Sequence, residues 1–167
     1  MQVYKGITMM TNKEFEEFYS SSYRKVYNYF YYLTMNHHIS EDLTSITFLK
    51  FFSNMNTFDE KLSSKLTFTL RIAKNVAIDY YRSNKDCEEL VDNDKELYEF
   101  ESNLVDRMIL NDILSRLPQR DRMIIYYKYY LDMKSDEIAK IMGISVTNVT
   151  TLCSRALKKV KKISEKV

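Results

Sequence analysis

Residues 135–159 read SDEIAKIMGISVTNVTTLCSRALKK, and this stretch decides the fold. Its pattern predicts two helices joined by a tight turn at Gly143, because glycine adopts the positive φ that ends a helix without steric cost. Ser135 and Ser145 are the expected N-caps of the two helices, since a serine hydroxyl accepts a hydrogen bond from a nearby backbone N–H. A short helix-turn-helix of this kind places its second helix in the major groove of DNA.

The second of these helices has two distinct faces. Apolar residues spaced by three and four predict a buried stripe of Val146, Val149, Leu152, Cys153, Ala156 and Val160. The opposite face carries Thr147, Asn148, Thr151, Ser154, Arg155 and Lys158. Such groups hydrogen-bond to base edges or to phosphates. An ordinary helical hairpin with a solvated polar face is the alternative, but such a face usually mixes charge signs, and this one has no acid.

The composition favours an almost wholly α-helical protein. The 167 residues include two Gly and one Pro, which argues against long loops and folds rich in β-turns. The net charge of +2 is too small for a general polyanion binder, but the charge is segmented. Residues 86–101 carry eight acids and one Lys, whereas residues 155–167 carry five Lys and one Arg against one acid. Segmented charge indicates separate modules with separate partners.

The rest of the chain divides into two helical blocks joined by the acidic stretch. In the first block we expect helices at residues 14–35, 40–55 and 66–83, a polar break at 36–40 with Ser40 as N-cap, and a loop at 56–65. In the second block, Pro118 begins a helix that continues to Met133 and precedes the helix-turn-helix. The predicted organisation is an extension at 1–11, a domain at 12–84, an acidic linker at 85–103 and a domain at 104–167.

The third helix of the first block combines a core face with nucleic-acid chemistry. Its predicted core residues are Ile72, Val76, Ala77 and Tyr80. Basic and amide side chains project elsewhere, and with neighbouring aromatic rings they suit nucleic acid, since cations hold the backbone and rings stack on unpaired bases. A tyrosine stripe at helical spacing is more often core, so this signal is weak by itself.

Three segments in order carry a family resemblance: SEDLTSITFLKFF (40–52), TFTLRIAKNVAIDYYRSNK (67–85) and LPQRDRMIIYYKYYLDMKSDEIAKIMGISVTNVTTLCSRALKKV (117–160). The chain resembles the sigma-70 family of bacterial transcription initiation factors, in its short extracytoplasmic-function (ECF) type. The first segment is similar to the region 2.2 helix, the second to the helix that engages the −10 promoter element, and the third to region 4. Each match is modest, but three in the correct order and spacing are specific.

The resemblance implies an all-α fold with two small helical domains, a region 2-like bundle and a region 4-like helix-turn-helix domain, joined by the acidic linker. It also implies a cytoplasmic, non-enzymatic initiation factor that binds core RNA polymerase and directs it to promoter DNA. Such a factor reads the −35 element as duplex and the −10 element as melted strand. Members of the ECF type are usually held by an anti-sigma factor, and the residues do not show whether this chain has one.

The matching positions assign candidate residues to each contact. Binding of core polymerase is assigned to Asp42, Ser45, Ile46 and Leu49. Binding of the −10 element is assigned to Lys74, Asn75, Asp79 and Arg82. Binding of the −35 element is assigned to Thr147, Asn148, Thr151, Arg155 and Lys158, with Lys159 adding attraction to phosphates. The chain departs from the family pattern at Ser45, usually Gln, at Phe68, usually Trp, and at Asn148, usually Thr.

Several other classes of protein lack support in the sequence. Phosphate-loop, hydrolase and zinc-protease motifs are absent, and neither the two Cys nor the adjacent His37 and His38 have metal-ligand spacing, so we expect no cofactor and no metal. No apolar run is long enough to insert into a membrane. The acidic linker is either a mimic of nucleic acid in polymerase channels or a solvated tether. The alternative function is a dimeric helix-turn-helix regulator that binds DNA without polymerase.

Overall fold

The structure of the protein is a computed structural model that describes residues 10–84 and 111–165. Over these residues the regular structure is helical, and no strand is present. The helices are α1 (Asn12–Thr34), α2 (His37–Ser53), α3 (Lys65–Ser83), α4 (Gln119–Ile125), α5 (Ser135–Met142) and α6 (Val146–Ser164). A 3₁₀ turn at Met55–Thr57 follows α2, a π-helical turn at Tyr126–Tyr130 continues α4, and residues 111–115 are also helical. The predicted linker at 85–103 lies outside the described residues.

Helices α1, α2 and α3 form the first domain. Its core includes Val26, Phe30, Phe51 and Leu70, each with no exposed surface, because every helix brings apolar residues at helical spacing to its inner face. The helix predicted at 66–83 is confirmed as α3. A core of this kind fixes the relative positions of α2 and α3, the two helices whose outer faces carry candidate contacts.

The start of α2 differs from the expectation. The predicted N-cap, Ser40, is fully buried within the helix, and the N-cap is Asn36, whose side chain accepts a hydrogen bond from the backbone N–H of Ile39 at 3.0 Å. Met35 adopts a left-handed conformation with φ 54°, which ends α1 and reverses the chain within two residues. The predicted break at 36–40 is therefore wrong, because one strained residue and an asparagine cap make a much shorter turn.

Helices α4, α5 and α6 form the second domain around five side chains that are almost completely buried: Ile124, Ile138, Ile141, Val149 and Ala156. Pro118 is the N-cap of α4, so the predicted helix start is confirmed. Ala139, on α5, is also buried, and its small side chain permits the close approach of neighbouring helices.

The helix expected to run from Pro118 to Met133 changes its geometry at Tyr126. The backbone N–H of Leu131 donates to the carbonyl of Tyr126 at 3.1 Å, which is the hydrogen bond of a π-helical turn. The rings of Tyr126 and Tyr130 are stacked with their centroids 4.9 Å apart. The local sequence gives no warning of this change, because π turns depend on the packing around them.

The π turn packs against α1 through a cluster of tyrosines that we call the tyrosine seam: Tyr29 and Tyr32 of α1 with Tyr126, Tyr127 and Tyr130 of the turn. The ring centroids of Tyr32 and Tyr126 are 5.4 Å apart, and those of Tyr29 and Tyr127 are 6.0 Å apart. Aromatic pairs at these distances contribute about 0.5–1.5 kcal/mol beyond their buried area. The seam joins the cores of the two domains into a single hydrophobic cluster.

The polar groups of the seam are also paired across it. The hydroxyl of Tyr126 donates to the backbone carbonyl of Lys25, and the side-chain amide of Asn28 donates to the hydroxyl of Tyr130 at 3.0 Å. A buried hydroxyl without a partner costs about 1–3 kcal/mol, so these bonds make the seam specific as well as apolar.

The seam predicts a loss of stability at alkaline pH. Burial raises the pKa of Tyr126 well above its usual value, with smaller contributions from neighbouring tyrosines, and burial raises the pKa of Tyr32 to about 12. Because the folded pKa values lie above those of the unfolded chain, near about 10, the stabilisation is complete below that pH and is lost as the pH rises toward about 12. Urea unfolding between pH 8 and 12 measures this fall.

The variant Tyr126→Phe serves as the control for this prediction. It removes one titrating hydroxyl and its hydrogen bond, so it lowers the free energy of unfolding at pH 8 by about 1 kcal/mol. It should also reduce the loss of stability at alkaline pH. An equal loss in the variant and the wild type would contradict the assignment of the effect to the seam.

Candidate nucleic-acid interface

Helix α5, the turn at Gly143 and helix α6 form the predicted helix-turn-helix. Gly143 has φ 69°, and its N–H donates to the carbonyl of Ala139 at 2.8 Å, which confirms the predicted left-handed turn. Ser145 is the N-cap of α6, and its hydroxyl accepts a hydrogen bond from the N–H of Asn148 at 3.2 Å, as expected. The turn therefore sets the direction in which α6 leaves α5.

The predicted cap at Ser135 is wrong. The N-cap of α5 is Lys134, and a carboxylate oxygen of Glu137 accepts its backbone N–H at 3.1 Å. A carboxylate in the first turn satisfies the amide groups that a serine cap would satisfy, and the helix dipole favours its negative charge. Ser135 is consequently the first residue of the helix, and Glu137 is the capping group.

The two faces of α6 are separated largely as the sequence predicts. Val149, Cys153 and Ala156 are buried, and Leu152 and Val160 are half-buried. Val146 was expected in this stripe but is 48% exposed, so the stripe begins at Val149. The candidate −35 residues Thr147, Asn148, Thr151, Arg155 and Lys158 are all exposed.

Lys159 belongs to the structure of the second domain. Its ammonium group pairs with the carboxylate of Asp121 on α4, a side chain with 9% of its surface exposed. A buried carboxylate without a counter-ion is strongly destabilising, so this cation is committed to Asp121. Lys158 and Lys159 are both exposed, and Lys159 is the one whose ammonium group is paired with an acid. The attraction of phosphate by Lys159 stays a prediction, and the pairing lowers what we expect it to contribute.

Helix α3 presents a second polar face. Asn75, Asp79 and Arg82 are exposed, whereas Lys74 is half-buried. The carboxylate of Asp79 lies 3.6 Å from the ammonium group of Lys50 on α2 and 3.7 Å from the guanidinium group of Arg82. The acid on this face is thus surrounded by cations, which reduces the repulsion that it would exert on a phosphate. Val76 and Ala77 are buried as predicted, and Ile72 and Tyr80 are half-buried.

Two further residues share this face and were missing from the candidates. Arg71 and Ile78 are exposed and lie at helical spacing with Asn75 and Arg82, so the four form one stripe along α3. Their spacing of four, three and four residues is visible in the sequence. Arg71 adds a cation to the face, and Ile78, which is 43% exposed, adds an apolar contact suited to the flat surface of a base.

The loop at residues 58–64 leads into α3 and borders a cavity of about 280 Å³. Phe58 packs on Phe68 with a centroid distance of 5.3 Å, which anchors the loop to the first domain. The cavity is lined by residues of both domains. The first domain contributes Glu60, Lys61, Leu62, Ser63, Ser64 and Thr67, and the second contributes Lys134, Asp136, Glu137 and Lys140. Hydroxyl, amino and carboxylate groups therefore meet between the domains.

The exposed face of helix α2 is an apolar stripe, whereas the exposed face of α3 is basic. The candidates Asp42, Ser45, Ile46 and Leu49 are all exposed on this helix, and Leu49 has 69% of its surface accessible. Phe52, which was not a candidate, is exposed at the next helical position and makes an edge contact with Phe15 of α1. Exposed apolar side chains that adjoin one another indicate a protein-binding surface.

Comparison with protein families accounts for both domains. Residues 18–86 match the family model described as sigma-70 region 2, and residues 107–160 match that of sigma-70 region 4. The chain belongs to the sigma-70 family. The alternative, a dimeric helix-turn-helix regulator, accounts for the second domain but not for the first. The match to region 2 accounts for the first domain as well.

Relatives from Bacillus subtilis assign this sigma factor to the ECF type. It is 25% identical over 154 residues to the ECF RNA polymerase sigma factor SigM, covering 87% of this chain and 92% of SigM. It is 24% identical over 163 residues to the ECF RNA polymerase sigma factor SigX, covering 90% of this chain and 84% of SigX. The sigma factor is thus a regulatory protein that acts with RNA polymerase in transcription initiation.

Solved structures share the fold of this sigma factor. Sigma factor RpoE in complex with the anti-sigma factor NepR from Bartonella quintana superposes with a TM-score of 0.77 at 17% identity, covering 92% of this chain and 98% of RpoE. CnrH in complex with the cytosolic domain of CnrY superposes with a TM-score of 0.68 at 18% identity, covering 93% and 90% of the two chains. Both comparisons support an all-α fold with the two family domains.

Within residues 10–84 and 111–165, no helix is long and apolar enough to cross a membrane. The same part of the chain contains no group of three His, Cys, Asp or Glu side chains arranged to hold a metal ion.

Proposed function

We propose that this sigma factor directs core RNA polymerase to promoters by reading the −35 element as duplex with α6 and the −10 element as melted strand with α3. The observation that carries this proposal is the exposure of three chemically different helix faces in one chain: an apolar face on α2, a basic and amide face on α3, and a polar face on α6. Run-off transcription with purified core polymerase tests it, with core polymerase alone as the control.

The chemistry of α6 supports duplex reading. Asn148 and Thr151 lie in the first turns of the helix, the part of a recognition helix that usually reaches base edges. Arg155 and Lys158 follow along the same face, where a guanidinium group can reach a guanine or a phosphate and an ammonium group attracts phosphates. We assign sequence discrimination to the first pair and salt-dependent attraction chiefly to Lys158.

The chemistry of α3 supports binding of a separated strand. The cations Lys74 and Arg82 can hold phosphates, while Asn75 offers an amide for hydrogen bonds to a base. The loop at 58–64 enters α3 next to this face, so a base that leaves the stack meets hydroxyl groups and the exposed Leu62 there. Extrusion of a base costs a few kcal/mol, which these contacts must offset.

The apolar stripe of α2 is the proposed contact with core polymerase. Ile46 and Leu49 supply apolar surface, and Asp42 and Ser45 supply polar groups beside it. We also propose an anti-sigma factor as a partner, because a structural neighbour with 92% coverage of this chain is itself bound to one. Co-purification of the tagged chain from its native host tests for that partner.

The first prediction from the proposed function concerns the polymerase contact. Leu49→Ala should weaken binding of core polymerase about ten-fold, a typical effect for an apolar side chain near the centre of an interface. The fold should survive, because the side chain is 69% exposed. Leu62→Ala is the matched control, since Leu62 is 70% exposed but lies in the loop before α3. Pull-down of polymerase without DNA measures both variants, and equal retention of the two would refute the assignment to α2.

The second prediction concerns strand separation. Arg82→Ala should reduce permanganate reactivity of the melted region more than it reduces closed-complex binding, because a cation on α3 is proposed to hold the open strand. Lys13→Ala removes an exposed cation from the start of α1 and should change neither measurement. Unaltered permanganate footprints with Arg82→Ala would show that this residue does not act on the melted strand.

The third prediction separates the roles of residues on α6. Asn148→Ala should relax preference at one or two −35 positions, because a base contact contributes about 1–3 kcal/mol of discrimination. Lys158→Ala should weaken all promoters alike and reduce the dependence of binding on salt. A promoter library transcribed with each variant measures both effects. Identical preference profiles for the two variants would contradict this division.

A further inference from the structure

One carboxylate connects the first turns of two helices from different domains. An oxygen of Glu137 accepts the backbone N–H of Lys134 at the start of α5, and the other oxygen accepts the hydroxyl of Thr67 in the first turn of α3 at 3.2 Å. Thr67 is buried, and Ser64 caps its helix. The negative charge of Glu137 therefore lies beside the positive ends of two helix dipoles, an arrangement that stabilises it at both.

Neighbouring contacts bring the helix-turn-helix onto the same side of α3. The ammonium nitrogen of Lys74 lies 3.4 Å from the position that a Cβ on Gly143 would occupy, so the turn covers part of this side chain. Farther along α3, the side-chain amide of Gln119 on α4 donates to the hydroxyl of Tyr81 at 3.1 Å. The second domain thus contacts α3 near its beginning and near its end.

These contacts cover groups that the proposed −10 strand would use. Lys74 is the half-buried member of the −10 candidates, whereas Asn75, Asp79 and Arg82 are exposed. The cavity beside the loop at 58–64 has one wall from the second domain. Glu137 also presents to Thr67 a charged oxygen acceptor, which is the kind of group that a phosphate or a base carbonyl would present. A strand on this surface and helix α5 therefore compete for the same space and the same donor.

We propose that the hydrogen bond between Glu137 and Thr67 is an intramolecular latch, which holds the helix-turn-helix over the start of α3 and must open before this surface accepts single-stranded DNA. The inference rests on the proposed function, because it assigns the −10 strand to α3. The carboxylate of Glu137 acts as an internal substitute for the acceptor groups of nucleic acid. The free protein then binds the strand weakly, and its strand-binding surface becomes available when the latch opens.

Two variants of the full chain break the latch from opposite sides. Glu137→Gln removes the charge but keeps an oxygen that can cap α5, and Thr67→Val removes the donor and keeps the shape of the side chain. Asp136→Asn is the matched control, since Asp136 lines the same cavity and loses the same charge, while the bond to Thr67 comes from Glu137. Thermal melting followed by circular dichroism verifies that each variant is folded.

Hydrogen–deuterium exchange measures the effect of each variant on amide exchange in the domain that does not carry the substitution. Glu137→Gln should speed amide exchange in the first turns of α3, and Thr67→Val should speed it in the first turn of α5, whereas Asp136→Asn should change neither. Combining Glu137→Gln with Thr67→Val should add little, because both remove the same bond. Unchanged exchange on the opposite domain in both single variants would overturn the latch.

Fluorescence anisotropy measures how tightly each variant binds single-stranded DNA, with a labelled, mixed-sequence strand of 20 nucleotides as the probe. Glu137→Gln and Thr67→Val should each bind the strand about ten-fold more tightly than the wild type, a change of about 1.4 kcal/mol. An equal gain from Asp136→Asn and Glu137→Gln would show a simple charge effect and would overturn the latch. Faster exchange without tighter strand binding would overturn its role in DNA binding while leaving the proposed function intact.

The failure of the proposed function has a different signature. It would appear as the absence of strand binding by the wild type and by every variant, with or without core polymerase. The role of the latch in DNA binding would then be overturned as well, and the exchange measurements would still decide whether the bond joins the two domains.

Discussion

The packing of α1 against the π turn is the constraint on which the rest of the structure depends. The rings of Tyr32 and Tyr126 pack at a tilt of 51° in the tyrosine seam, and the hydroxyl of Tyr126 donates to a backbone carbonyl of α1. Large aromatic rings bury much apolar surface, but each hydroxyl needs a partner, so few relative positions of the domains satisfy both demands. Because the seam fixes the second domain on the first, it also determines where the helix-turn-helix lies relative to α3.

Pairing with acids divides the cations of this protein into structural and accessible ones. Lys158 and Lys159 are both exposed, but Lys159 pairs with the buried Asp121 and stabilises the second domain. On α3, Asp79 lies within 4 Å of Lys50 and Arg82, and both of these pairs are exposed. Exposed pairs are worth little and exchange readily with phosphates, while a pair with a buried carboxylate does not. We expect this difference in the burial of the paired acids to determine which cations a DNA backbone can recruit.

Each of the three helix faces offers only a modest binding surface, but the three are linked in one chain, and linkage raises the total affinity. A linked protein that engages polymerase and two promoter elements gains affinity from each contact without needing a strong one, provided that the geometry permits all of them together. The closed arrangement, with Glu137 bonded to Thr67, places the helix-turn-helix against α3. Binding partners that favour a separated arrangement shift the population toward it in proportion to their differential affinity.

Much of the fold and the membership of each helix face followed from the sequence. The helix-turn-helix with its glycine turn, the bounds of α3, the buried Val149 and Ala156 and the family itself could be predicted, because they depend on local spacing and on motifs. The cap of α5 by Glu137, the start of α2 at Asn36, the π turn and the partner of Lys159 could not, because competing groups are equally plausible along the chain. The two caps are local hydrogen bonds between residues three apart, whereas the π turn packs on α1 and Lys159 pairs with an acid 38 residues away. Tertiary structure alone decided how the domains face each other, since the tyrosines of the seam recur at ordinary helical spacing and their partners are set by packing.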